Sequence, residues 1–186
     1  MIINFLIDIS GFVNIDSLWH KFKIENICGE KKFNVKMGSE IQTIHGIEHR
    51  EINSNWKHII RKDEDIMLVD SNWEEAFVFP LREPSHLSTF TCQLFYTHAV
   101  QRHIIYLHSS LIDCNARGLM FLGPSGIGKT TQAELWNQYR DALIINGDVV
   151  FVQETENAFL GWGTPWHGSS PYCDNPSVAV EALIVL

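Results

Sequence analysis

An α/β fold, with a phosphate-loop core behind a β-rich N-terminal region, is predicted by three observations. The first is "GPSGIGKTT", residues 123–131, which has the form Gly-x-x-x-x-Gly-Lys-Thr. The second is its setting. The apolar run "LMFL" leads in and "GKTTQAELWNQYR" leads out, a strand–loop–helix order. The third is the stretch 1–84, where "NFLIDI", "FNVKM", "DIMLVD" and "AFVFP" are short apolar or alternating runs broken by Gly, Asn and Asp clusters.

The N-terminal region (1–84) and the core (85–186) are justified element by element. In the first, the four runs read as strands, and Trp19, Trp56 and Trp73 read as packing anchors. After "REP" the pattern changes. Ser85 suits a helix cap, and Leu87, Phe90 and Leu94, widened by Phe95 and Ala99, make one helical stripe to about residue 101. "HIIYLHSSLI" reads as a strand, "DCNARG" as a turn and "LMFLG" as the returning strand. In the helix after the loop, Ala133, Trp136 and Tyr139 form the apolar face. "ALII" is a buried strand, "DVVFVQ" and "FLGWGT" make a hairpin, and "VEALIVL" is a last apolar strand.

Composition bounds the partners. The 186 residues are 45% hydrophobic, as in an ordinary globular protein. Their net charge of −8, from 14 basic and 22 acidic residues, argues against nucleic acid or an anionic membrane as partner. The start, "MIINFLIDISGF", lacks a basic n-region and carries Asp8, so a strand is expected rather than a signal peptide. Cys28, Cys92, Cys114 and Cys173 form no C-x-x-C pair, which points to reduced thiols in a cytoplasmic protein.

The loop's residue types follow from its chemistry. Gly126 and Gly128 let backbone N–H groups turn inward around a polyphosphate, and Gly123, Pro124, Ser125, Ile127 and Thr131 complete the expected nucleotide-binding loop. The helix that starts near Lys129 aims its positive end at the same place. Lys129 reaches the β- and γ-phosphates, and the Thr130 hydroxyl suits Mg2+. A carboxylate at the end of a neighbouring strand completes such a metal site, and Asp148 in "ALIINGD" is the candidate. Asn146-Gly147 is also a two-residue hairpin signal, with "ALII" and "DVVF" as arms, and both readings stand at this point.

Hairpin register places one more residue. If Asp113 and Gly118 close the "DCNARG" turn, His108 lies opposite Gly123, beside the phosphates. An imidazole there can steady the γ-phosphate or move a proton. "GWGTPWHGSS", residues 161–170, is a rigid aromatic loop whose Trp166 and His167 either line the site or fix the loop.

"LHSS", the hairpin, "GPSGIGKTTQAELW", "ALIINGD" and "GTPWHGSS", in that order, resemble the proteins related to HPr kinase/phosphorylase and the catalytic domain of phosphoenolpyruvate carboxykinase. The resemblance spans about residues 103–186, and the histidine strand directly before the loop is its discriminating feature. It implies a mixed-sheet nucleotide-binding core, ATP or another nucleoside triphosphate with Mg2+ or Mn2+, and phosphoryl transfer to a hydroxyl or an enolate. It also implies His108, Lys129 and Asp148 as catalytic residues, with Thr130 and Asp148 on the metal. Two departures separate the chain from HPr kinase itself. Gly147 stands where the family carries an acidic residue, and "GTPWHGSSPYCDN" replaces a longer signature. The family core also continues past a strand like "EALIVL", so part of the acceptor site is expected to be missing.

Three functions follow as expectations. The first is a kinase acting on a hydroxyl of a peptide, protein or small molecule. The second is a nucleotide-binding regulatory or accessory protein without transfer. The third is a carboxykinase-like lyase, which would need cationic groups for a carboxylate substrate and a second metal; Arg102, Arg117 and Arg140 are the nearby arginines. Acceptor, base preference and oligomeric state, a homo-oligomer included, are left open by the sequence.

Overall fold

The continuous apolar runs in "DIMLVD" and "AFVFP" give two strands on which Met67, Val69, Ala76 and Val78 share one face, and a helix covers that face. In the computed structural model, which describes residues 6–8, 16–23, 32–37, 56–79 and 86–186, the chain forms two compact units. One comprises Met1–Ile15 and Glu25–His98; the other comprises Asp16–Ile24 and Ala99–Leu186.

The first unit holds strands β1 (Leu6–Asp8), β2 (Lys32–Met37), β3 (Trp56–Lys62), β4 (Asp65–Asp70) and β5 (Glu75–Phe79) in one sheet, ordered β1-β2-β5-β4-β3. Helix α1 (Leu87–Ala99) packs Leu87, Phe90 and Leu94 against Val35, Met67, Val69, Ala76 and Val78. The expected stripe is therefore correct, but its partner is not. The helix does not belong to the 85–186 core expected from the sequence; it seals the N-terminal sheet. The expected cap, Ser85, lies outside the described residues.

The second unit is built on a long strand, β6 (Ile104–Asp113). One edge of it pairs antiparallel with β7 (Gly118–Leu122), with Asp113 opposite Gly118 and Ser109 opposite Leu122, the register expected from the turn. The other edge pairs antiparallel with β9 (Val149–Glu154) and, further along, with β8 (Leu143–Asn146). β9 continues to β10 (Phe159–Trp162), β10 to β11 (Ser177–Val185), and β11 runs parallel to β7. The ring β6-β7-β11-β10-β9 closes on itself, which leaves β8 as an appendage. Leu111, Met120, Ile145, Val150, Val152 and Val178 form one of its two cores. The other lies under helix α2 (Lys129–Arg140), where Ala133 and Trp136 meet Ile112, Leu119, Phe121 and Ile144.

Two expectations are corrected here. Tyr139 is 70% exposed and not part of the buried face. At about 100° per residue, a three-residue step drifts about 60°, so Tyr139 is turned well away from Ala133. Second, "ALII" and "DVVF" are not the arms of a hairpin. Both pair with β6 in the same direction, so Asn146-Gly147-Asp148 lies within one strand line. Positive φ occurs at Gly123, Gly126, Gly128 and Gly168, and not at Gly147, so the left-handed geometry of a two-residue turn is absent. No helix among the described residues is long and apolar enough to cross a membrane.

Candidate functional site

β7 delivers the chain to the loop, and α2 begins directly after it. Gly126 (φ +80) and Gly128 (φ +107) adopt left-handed conformations, and a Cβ on either would meet no atom within 4 Å. Gly128 is the N-cap of α2 and supplies no side-chain cap, so the first N–H groups of the helix are left for another acceptor. Lys129 is 6% exposed and donates to Gly123 O (3.0 Å) and Pro124 O (3.1 Å). An ammonium has three donors, so one remains.

Thr130 sits one residue further into α2. Its hydroxyl donates to Gly147 O at 3.1 Å, which commits its proton and leaves oxygen lone pairs outward. Ser110 Oγ donates to the same carbonyl at 3.1 Å. The loop, β6 and the Asn146–Asp148 segment thus meet at one backbone oxygen.

Asn146 organises that segment. It is fully buried. Its Oδ1 accepts from Asp148 N (2.8 Å) and Val149 N (2.9 Å), and its Nδ2 donates to Thr164 O (3.0 Å) and Trp166 O (3.2 Å). The Asn146 side chain is a clamp between the strand and the "GTPW" loop, not part of a turn. Asp148 follows, and its Oδ1 lies 2.7 Å from His108 Nε2. Both side chains are partly exposed, at 40% for His108 and 30% for Asp148.

Position 147 has no room for a side chain. A Cβ there would fall 1.9 Å from Ser170 Oγ and 2.6 Å from Ser170 Cβ. The carboxylate expected by resemblance is excluded by this close approach. At Gly168 (φ +56) a Cβ would fall 2.2 Å from Asp148 Oδ2. Trp166 is 5% exposed and packs edge-on to Phe151, with ring centroids 5.8 Å apart; His167 is 8% exposed and held on both ring nitrogens. Both residues fix the loop.

The structure therefore brings Thr130, the Asn146–Asp148 segment and His108 together at the start of α2, with Lys129 folded back over the loop's first two residues. Arg117 is taken up by Glu181, with Nη2 2.7 Å from Oε1, and that carboxylate raises the guanidinium pKa while its own falls. Sequence reasoning missed Asp16, Gly168 and Ser170; of these, only Asp16 carries a signal, as an Asp-Ser helix start. Among the described residues no three His, Cys, Asp or Glu side chains converge as a metal cluster. The donor set here is a hydroxyl and a carboxylate, hard oxygen ligands that suit Mg2+ when phosphate oxygens supply the rest.

No protein-family model and no curated protein matches the chain. Among solved structures it is similar to the Hpr(Ser) kinase/phosphatase from Coxiella burnetii, at 15% identity and a TM-score of 0.36. The match covers 44% of this chain and 64% of that one, so it spans just under two thirds of that protein's length.

Proposed function

We propose that this protein is an ATP- and Mg2+-dependent phosphotransferase acting on a hydroxyl of a peptide, a protein or a small molecule. The observation that supports it most is the loop. Two left-handed glycines and an uncapped helix start leave open space on their outer side, where oxygens of a polyphosphate are accepted well. Bound there, Mg-ATP supplies the phosphoryl group and the metal offsets charge on the phosphates. Thr130 and Asp148 are the residues that would hold the metal.

Lys129 keeps two donors on backbone carbonyls and turns its third to the phosphates. His108 gives its Nε2–H to Asp148 Oδ1, which fixes the tautomer in which Nδ1 is basic. As the acceptor oxygen bonds to the phosphorus and the bridging oxygen leaves with the nucleoside diphosphate, His108 Nδ1 takes the hydroxyl proton. A base is thereby supplied although position 147 carries none, a contribution of ~10²–10⁴-fold.

The regulatory reading is favoured by one observation, the exclusion of any side chain at position 147. Mass spectrometry of phosphorylated products, with ATP and Mg2+, separates the two. Transfer by wild type that drops ~10²–10⁴-fold in His108→Gln and Asp148→Asn supports the kinase. Equal nucleotide binding by all three with no product from any replaces it with the regulator.

A further inference from the structure

We infer that Asp16, 132 residues before Asp148 in the chain, is a positioning residue for that carboxylate, acting through His167 and the turn that His167 closes. Its consequence for turnover rests on the phosphotransfer reading; its geometry does not.

The turn 167–170 is closed by Ser170 N donating to His167 O at 2.9 Å. His167 Nδ1 donates to Ser170 O at 2.5 Å, so the ring is folded back onto its own turn. His167 Nε2 lies 2.9 Å from Asp16 Oδ2, with one proton between them. The turn presses on both residues of the 147–148 peptide. Ser170 occupies the space a side chain at 147 would take, and Gly168 lies against Asp148 Oδ2. Asp148 is thereby confined on one side by Gly168 and on the other by His108 Nε2 at 2.7 Å.

Asp16 is itself held firmly. It caps the 3-10 helix Ser17–Phe22 by accepting Leu18 N at 2.9 Å. That helix is tied a second time by Lys21 Nζ to Asp174 Oδ1 (2.8 Å) and by Asn175 Nδ2 to Lys21 O (3.4 Å). The segment 16–23 therefore straps both ends of the loop that walls in Asp148, and all of these residues belong to one compact unit. Without the Asp16 carboxylate, His167 Nε2 loses its partner, and the turn keeps its internal bonds, the Tyr172 N bond to Ser170 Oγ and the Asn146 Nδ2 bond to Trp166 O beside it. A shift of about 1 Å lets the Asp148 carboxylate swing away from His108, and misplacement on that scale costs on the order of 10²-fold in rate.

Long-range 1H–15N spectra of the histidine rings test this without any reaction. The His108 signals are assigned with His108→Gln and compared in wild type, Asp16→Ala, Asp16→Ser, Asp16→Glu and Asp148→Asn. Asp16→Ala is expected to move the His108 signals in the same sense as Asp148→Asn, and Asp16→Glu to restore them. In turnover assays, Asp16→Ala should lose on the order of tenfold to a hundredfold. His108 signals that stay in place in folded Asp16→Ala overturn the inference. Where Asp16→Ala does not fold, Asp16→Ser, which can still cap Leu18 N but is too short to reach His167 Nε2 as well, decides in the same way. Signals that respond in a protein that never turns over ATP leave this inference standing and remove the phosphotransfer reading.

Discussion

Gly147→Ala is expected to destabilise the protein by roughly 2 kcal/mol. The new Cβ would lie 1.9 Å from Ser170 Oγ and 2.6 Å from Ser170 Cβ, where carbon contacts settle near ~3.5–4.0 Å. Rotating Ser170 removes the first clash but gives up the bond its Oγ accepts from Tyr172 N at 3.2 Å, worth about 1 kcal/mol. The second clash survives any rotation and obliges the turn to move by about 1 Å. Overpacking of this kind costs ~1–3 kcal/mol, and replacing glycine in the unfolded chain returns ~0.4–1 kcal/mol. Ser170→Gly alone should cost about 1 kcal/mol for the lost bond. The double variant should be more stable than the sum of the singles by roughly 1–3 kcal/mol, because the clash is gone. Urea unfolding of the four proteins at equal slope measures the cycle. A Gly147→Ala protein within about 0.5 kcal/mol of wild type, or a strictly additive double, refutes the steric argument. The same reasoning predicts that an acidic residue at 147 is accommodated only alongside Ser170→Gly.

Two further outcomes are expected. Asn146→Ala should cost roughly 2–4 kcal/mol, since it strands Asp148 N and Val149 N in a buried site and takes one donor each from the carbonyls of Thr164 and Trp166, which keep Cys173 Sγ and Thr164 Oγ1; a change under about 1 kcal/mol in urea unfolding would show that water satisfies the two N–H groups. The buried Cys173 thiol is pushed up from 9.0 to about 11, chiefly by burial, while the unfolded thiol titrates near 9. Its contribution is fully present below about pH 9 and is lost as pH rises towards 11, at most roughly 2–3 kcal/mol, so wild type should lose more stability than Cys173→Ala between about pH 8 and about pH 10.5. Parallel losses in the two proteins contradict that origin.

Much of the second unit was readable because its signals are local. The "DCNARG" turn fixes the β6–β7 register through Asp113 Oδ1, which accepts Ala116 N at 2.8 Å, and through left-handed Asn115 and Ala116. The loop and α2 follow from glycine spacing and the strand–loop–helix order, and the left-handed backbone of Asp141 caps the helix. Asn146-Gly147 misled because a strong turn signal is overridden when a distant strand, β6, offers both flanking segments a ladder. β3 was passed over because "WKHIIRK" is an exposed strand with little alternation. The His108–Asp148 and Asp16–His167 contacts were beyond a single sequence, since they join residues 40 and 151 positions apart that only strand order and loop packing bring together.

On the proposed function, residues 123–130 hold a Mg-bound nucleoside triphosphate, and titration calorimetry of the folded protein reads that binding without any acceptor. Mg-ATP should bind wild type at one site per chain. Lys129→Ala should bind about 10–100-fold more weakly, the loss of one charge-assisted contact worth ~1.5–3 kcal/mol. Heat signals indistinguishable from dilution in a folded wild-type sample, or equal affinity in wild type and Lys129→Ala, would contradict it.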